Sequence, residues 1–200
     1  MQGWLEGSAM NEEKRDKHFP LFAHDNRFRR LFSHPKEYCS FVQRGENVAD
    51  LGCGPGYYTL ALAECVGPEG RVYAVDSDEK AVQALEKKAA KLDIHNIEAH
   101  ASSASDLSFI NDQSVDFVLA NGLLCSMAPK QHESAVNEIL RILKPNGRAY
   151  ISVAKGFMSY VSKEEWESIL EKFKVEQRGG DGFFAIADRW AVVSKQSRQS

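Results

Sequence analysis

Apolar and polar positions change period several times along the chain. Val48–Leu51 is a short apolar run ended by glycines, which predicts a strand. Tyr58–Cys65 is rich in Ala and Leu and stops at Gly67-Pro68, which predicts a helix. RVYAVD, Arg71–Asp76, predicts a second strand. In Asp78–Leu92, Val82, Leu85 and Ala89 form an apolar stripe at helical spacing, with Asp78 as N-cap. Asn96–His100 is a third strand. Ser114–Asn121 is a fourth, apolar through its centre and so covered on both faces. Lys130–Leu143 predicts a helix with Val136, Ile139, Leu140 and Leu143 on one side. Pro145-Asn146-Gly147 then turns the chain into a strand over Arg148–Val153.

Regular alternation of strand and helix requires crossover connections, hence a parallel sheet with helices on both faces. The last part changes style. Ser162-Lys163-Glu164-Glu165 matches a capping box opening a helix to about Lys172. FKVEQR and FFAIADRWAVVS flank GGDG and read as an antiparallel hairpin at one sheet edge. The expected fold is α/β, doubly wound and mostly parallel, over residues 45–195. Residues 1–44 form an N-terminal helical extension. Arg27–Phe32 and Pro35–Val42 are its two short helices, placed to cover a pocket. Residues 196–200 are a polar, frayed tail. Residues 1–9 precede a second methionine, Met10, and receive no role.

Composition narrows the function. Two hundred residues suit one domain with a sizeable core. A hydrophobic share of 43% and a charged share of 26% are those of a globular protein. The net charge of −3 gives no general attraction to nucleic acid or to an anionic membrane. No apolar run reaches the roughly 20 residues that span a bilayer. The N-terminus lacks the apolar segment of a secretory signal. Cys39, Cys53, Cys65 and Cys125 are widely spaced without a CxxC pair. That pattern argues against a zinc site or a disulfide framework, and predicts reduced thiols in a cytoplasmic protein.

The chemistry starts at VADLGCGPGYYTLAL, Val48–Leu62. Gly52, Gly54 and Gly56 lie beyond the first strand and before a helix, at the end of a parallel sheet where ligands bind. Asp76 ends the second strand, 22 residues after Gly54, where a carboxylate can accept hydrogen bonds from ribose hydroxyls. Together they point to a nucleoside. A dinucleotide fingerprint wants a glycine where Tyr57 stands, and Asp50 before the loop opposes a pyrophosphate. A cationic, phosphate-free nucleoside fits better, and S-adenosylmethionine (SAM) is one.

DLGCGPG, VYAVDSDEKAV, SVDFVLAN and LRILKPNGRAYISV resemble successive motifs of class I SAM-dependent methyltransferases, over roughly Val48–Val153. The similarity is nearest to the small quinone-biosynthesis and arsenite-methyltransferase-like group. It implies a seven-stranded sheet whose last strand is antiparallel. It further implies that Gly52, Gly54 and Gly56 pass under the methionyl part of SAM, that Asp50 orders the loop and faces the amino group, and that Asp76 takes the ribose. Ser77 would border the adenine. Where the family often has Asp-Ala near the adenine amino group, this chain has Ser103-Ala104. The resemblance also implies that Asn121 stands where methyl donor and acceptor meet.

The expected activity is methyl transfer from SAM to a small-molecule acceptor, with no nucleic-acid partner and no membrane insertion. An NAD-dependent oxidoreductase and a non-catalytic SAM-binding scaffold are the alternatives. No catalytic base and no metal site are assigned. His18, His24, Asp25 and His132 are bases by type only, with a surface position as the plain expectation for each. Arg27, Arg29 and Arg30 suit an anionic acceptor or a solvated helix face. Phe157, Met158 and Tyr160 suit an apolar acceptor pocket or simple packing. Cys125 follows the fourth strand and reads first as a buried structural thiol.

Overall fold

The computed structural model describes residues 34–154, 161–180 and 189–196. Seven strands form one sheet in the order β3-β2-β1-β4-β5-β7-β6. They are β1 Asn47–Leu51, β2 Arg71–Asp76, β3 Ile97–Ala101, β4 Val115–Asn121, β5 Leu143–Val153, β6 Phe173–Gly179 and β7 Arg189–Lys195. β1 to β5 pair in parallel; β7 runs antiparallel to both β5 and β6. The doubly wound sheet and an antiparallel pair at its edge are as the sequence predicts; β7 is seen from Arg189, and residues 181–188 of the predicted turn and strand lie outside the described residues.

Strand alternation supplies both faces. Ala49, Leu51, Val118 and Ala120 share one core with Val136 and Ile139 of helix α4 (Pro129–Ile142) and with Trp166 and Leu170 of α5 (Lys163–Glu171). Val48, Val72, Phe117 and Leu119 face the other way, onto Leu62 and Val66 of α1 (Thr59–Val66). Helix α2 (Glu79–Lys91) lies beside α1, with Leu85 against Ala74 and Cys53. A short α3, Leu123–Ser126, follows β4. Asp78 caps α2 by accepting from Lys80 N at 2.9 Å, and Ser162 caps α5 by accepting from Glu165 N at 3.1 Å. Both caps were legible in sequence.

Two expectations change. Strand β5 starts at Leu143, not after the turn. Val115 pairs with Leu143 and Phe117 with Arg148, so Lys144–Gly147 bulges within the strand. Lys144 is held there by Asp116, at 2.7 Å. The cysteine expectation is overturned. Cys39 and Cys65 form a disulfide, with Cα atoms 5.9 Å apart. Cys39 lies on a 3-10 helix, Glu37–Phe41, and Cys65 in the last turn of α1. They meet because Tyr38 of the 3-10 helix inserts between Tyr58 and Tyr150, each at a ring distance of 4.8 Å. Phe41 stacks on Phe117 at 5.6 Å. Tertiary packing, not spacing, makes the pair. Cys53 and Cys125 are buried and form no disulfide.

Residues 35–42 thus contain a 3-10 helix shorter than the predicted one. The predicted helix at Arg27–Phe32 lies outside the described residues. Among the described residues no helix is long and apolar enough to cross a membrane, and no cluster of three or more metal-ligating side chains occurs.

Candidate functional site

The carboxyl ends of β1, β2 and β3 bring the predicted residues together. Asp50 is 3% exposed and accepts from the Thr59 hydroxyl at 2.6 Å, which ties the end of β1 to the first residue of α1. The glycine loop between them is strapped to β2. Gly52 N and Cys53 N both donate to the Val75 carbonyl, at 2.8 and 3.1 Å. Asp76 fastens it further. One carboxylate oxygen accepts from Gly54 N at 2.8 Å, and the other from Asp78 N at 2.9 Å. An ionised carboxylate has about four acceptor positions. Asp76 therefore holds both loops and keeps acceptor capacity at the open end of the sheet.

Two of the loop glycines stand in different surroundings. Gly52 is exposed, with φ of +79°. Gly56 is buried with φ of +87°, and a Cβ there would lie 2.4 Å from Leu85 Cδ1. Its hydrogen is required by the packing of α2, the helix that also latches the loop through Lys88 Nζ to Pro55 O at 3.1 Å. Close approach of a ligand is not needed to explain Gly56.

Cys53, between Gly52 and Gly54, is 6% exposed. Burial, and after it the nearby Asp50 and Asp76 carboxylates, push its thiol well above the ordinary range. It stays protonated, a small filler and not a nucleophile. The sign of the local charge matters: carboxylates at the ends of β1 and β2 favour a cation.

Ser77 follows Asp76 and is exposed. Ser102 N donates to the Asp76 carbonyl at 3.0 Å, which sets Ser103 and Ala104 beside the end of β2. The Ser103 hydroxyl pairs with that of Ser105 at 2.8 Å, while Ala104 packs into the core. Ser105 escaped the sequence reading; its place two residues beyond Ser103 was the available signal.

At the end of β4, Asn121 Oδ1 accepts from the Ser152 hydroxyl at 2.6 Å. Gly122 N donates to the Ser152 hydroxyl oxygen at 3.0 Å, and Cys125 Sγ to the Gly122 carbonyl at 2.9 Å. Ser152 is 1% exposed and sets the orientation of Asn121. It faces Asn121 in the β4–β5 register, a contact that only strand pairing reveals.

His132 is not the surface residue expected. It is 2% exposed in α4, with Nδ1 2.7 Å from Glu165 Oε1 and Nε2 3.2 Å from the Met127 carbonyl. Both ring nitrogens are engaged, so it knits α4 to α5 and to the end of α3. His18, His24, Asp25, Arg27, Arg29, Arg30, Phe157, Met158 and Tyr160 lie outside the described residues.

A hollow of about 890 Å³ opens at the amino ends of the strands, lined by Arg44, Asn47, Gly67, Arg71 and Asn96 among others. In open α/β sheets ligands bind beyond the carboxyl ends, and the strapped loops lie there.

A twisted, mostly parallel sheet with that C-terminal hairpin is the Rossmann-like fold of SAM-dependent methyltransferases. A solved Aquifex aeolicus structure described as a SAM-dependent methyltransferase superposes with a TM-score of 0.70 at 24% identity, covering 87% of this chain and 95% of that one. A putative rRNA-methylase from Clostridium thermocellum gives 0.68 at 24% identity, covering 86% and 97%. The family model for a methyltransferase domain matches residues 43–186, and the chain belongs to that family. The Aquifex aeolicus neighbour is, by its description, SAM-dependent. The oxidoreductase alternative is thereby set aside.

Curated relatives match in part. A demethylmenaquinone methyltransferase of Geobacillus stearothermophilus is 35% identical over 106 residues, which is 53% of this chain and 44% of the relative. An arsenite methyltransferase of Halobacterium salinarum is 32% identical over 118 residues, 59% of this chain and 29% of the relative. The chain spans less than half the length of the relatives it matches.

Proposed function

We propose that this chain transfers a methyl group from SAM to a small-molecule acceptor. The observation that carries it is the Asp76 carboxylate, which straps the glycine loop to the start of α2 with acceptor capacity left at the carboxyl end. The residues present fit the cofactor. Asp76 would take the ribose hydroxyls, and Asp50 would favour the positively charged methionyl end, directly or through water. Gly52 and Gly54 would pass under the methionyl part, with Gly56 holding the loop against α2. Ser77, Ser103 and Ala104 would border the adenine, and Asn121 would stand where donor and acceptor meet.

Bound SAM supplies an electrophilic methyl group on sulfur. The chain's share is orientation: fixed loops hold donor and acceptor in line, and such positioning is worth about 7–11 kcal/mol in favourable cases. No general base is assigned.

A small acceptor is supported by the printed names of the curated relatives, one acting on a menaquinone precursor and one on arsenite. Neighbours described as rRNA methylases keep RNA as the test case. The net charge of −3 weighs against it. A cytoplasmic location belongs to the proposal too, and the Cys39–Cys65 bond weighs against it because cytosolic reductants keep most thiols reduced. Isothermal calorimetry with SAM and S-adenosylhomocysteine tests the cofactor, and absence of binding at high micromolar ligand rejects it. Transfer of labelled methyl to a panel of quinols, thiols, arsenite and RNA then tests the acceptor class.

A further inference from the structure

Arg141, in α4, donates all five guanidinium N–H groups within the protein. Nε donates to Glu138 Oε1 at 2.7 Å. Nη1 donates to the Ile110 carbonyl at 2.8 Å and to Asp112 Oδ1 at 2.6 Å. Nη2 donates to the Leu107 carbonyl at 2.8 Å and to Glu138 Oε2 at 2.9 Å. Glu138 Oε2 also accepts from Leu107 N at 2.7 Å. One ion pair thus holds Leu107 by both its N–H and its carbonyl. The same guanidinium holds the carbonyl of Ile110 and the carboxylate of Asp112.

These partners lie in one irregular segment, residues 102–113, between β3 and β4. Its start is pinned by Ser102 N to the Asp76 carbonyl at 3.0 Å, and its end by Gln113 N to the Arg141 carbonyl at 2.9 Å. Between the pins stands the serine turn. Ser105 N donates to Ser103 Oγ at 3.3 Å, and Asp106 N to the Ser103 carbonyl at 3.0 Å. The segment pairs with no strand, and α4 fixes its Leu107 and Ile110 carbonyls. Glu138 stays ionised: the Arg141 hydrogen bonds hold its carboxyl below the ordinary range.

Neutral hydroxyls make weaker hydrogen bonds than a carboxylate, and those bonds fade quickly with distance and angle. A site that relies on the Ser103 hydroxyl therefore needs tighter placement. We propose that the Glu138–Arg141 pair is the positioning device for the adenine side of the cofactor site, holding the Ser103–Ser105 hydroxyl pair at the base edge. The proposal rests on SAM binding at the carboxyl ends of the strands.

The test compares binding of S-adenosylhomocysteine with S-inosylhomocysteine, whose base carries oxygen in place of the 6-amino group. Wild type should prefer the adenine ligand by about tenfold or more. Arg141→Lys keeps the charge but cannot span Glu138, Leu107 and Ile110 from one ammonium. It should lower S-adenosylhomocysteine affinity about tenfold and bring the preference toward one. Loss of thermal stability with the wild-type preference intact overturns the positioning role, as does a wild type that does not discriminate. In both cases the cofactor reading stands. Wild type that binds neither ligand defeats the cofactor reading itself. If Arg141→Lys does not fold, Glu138→Gln gives the same comparison with the same expected direction.

Discussion

The two ends of β1, β2 and β3 solve different problems with similar side chains. At the amino ends, polar groups satisfy the fold. Asn96 Nδ2 donates to the Ala63 and Gly67 carbonyls at 2.9 and 2.8 Å, closing the end of α1. Arg71 pairs with Glu98 at 3.0 Å, and Asn47 N donates to Asp116 at 3.0 Å. At the carboxyl ends, Asp50 and Asp76 accept from the loops around them instead of from cationic side chains in the bonds described above. A hollow opens at the amino end, and the carboxylates that strap the loops lie at the other.

The largest expected effect breaks the carboxyl end outright. Gly56→Val forces a side chain into Leu85 at positive φ. It should cost roughly 3–5 kcal/mol of stability from strain and overpacking, read by urea denaturation. A loss under about 1 kcal/mol would show that α2 yields easily. Next, reduction of Cys39–Cys65 frees a link of sequence separation 26. It should lower stability by about 3 kcal/mol while leaving S-adenosylhomocysteine affinity within about twofold. A large affinity change would join the two ends that the comparison separates.

Asp76→Ala should weaken SAM binding by roughly 1.5–3 kcal/mol in calorimetry, the scale of a charge-assisted hydrogen bond. Unchanged affinity removes Asp76 from the site. Arg71→Ala is its counterpart at the amino end. The Arg71–Glu98 pair is 56% and 40% exposed, so its loss should cost under about 0.5 kcal/mol. SAM affinity should not move.

Much of this was legible before any coordinates. Strand–helix alternation gives the parallel order, and the capping box at Ser162 gives the start of α5 within a residue. Asp50, Gly52, Gly54 and Asp76 were found by spacing and do converge, because the turn after a parallel strand leaves little freedom. What stayed hidden depends on contacts between distant segments. Ser152 meets Asn121 only through register, and Arg141 reaches Leu107 and Ile110 only because α4 packs over the segment after β3. His132 looked like a polar surface residue since its partner, Glu165, is 33 residues away. The disulfide was hidden for the same reason, as was the packing of Gly56 against Leu85.

The Cys39–Cys65 bond also makes a covalent ring of the chain between them, carrying β1, the glycine loop and nearly all of α1. A protease cut at any peptide bond inside that ring would leave one linked molecule. On a non-reducing gel the nicked protein should run as a single band, and as two fragments once a thiol is added. The segment that carries the candidate cofactor loop is thus hard to lose by a single cleavage, whatever happens to the chain on either side.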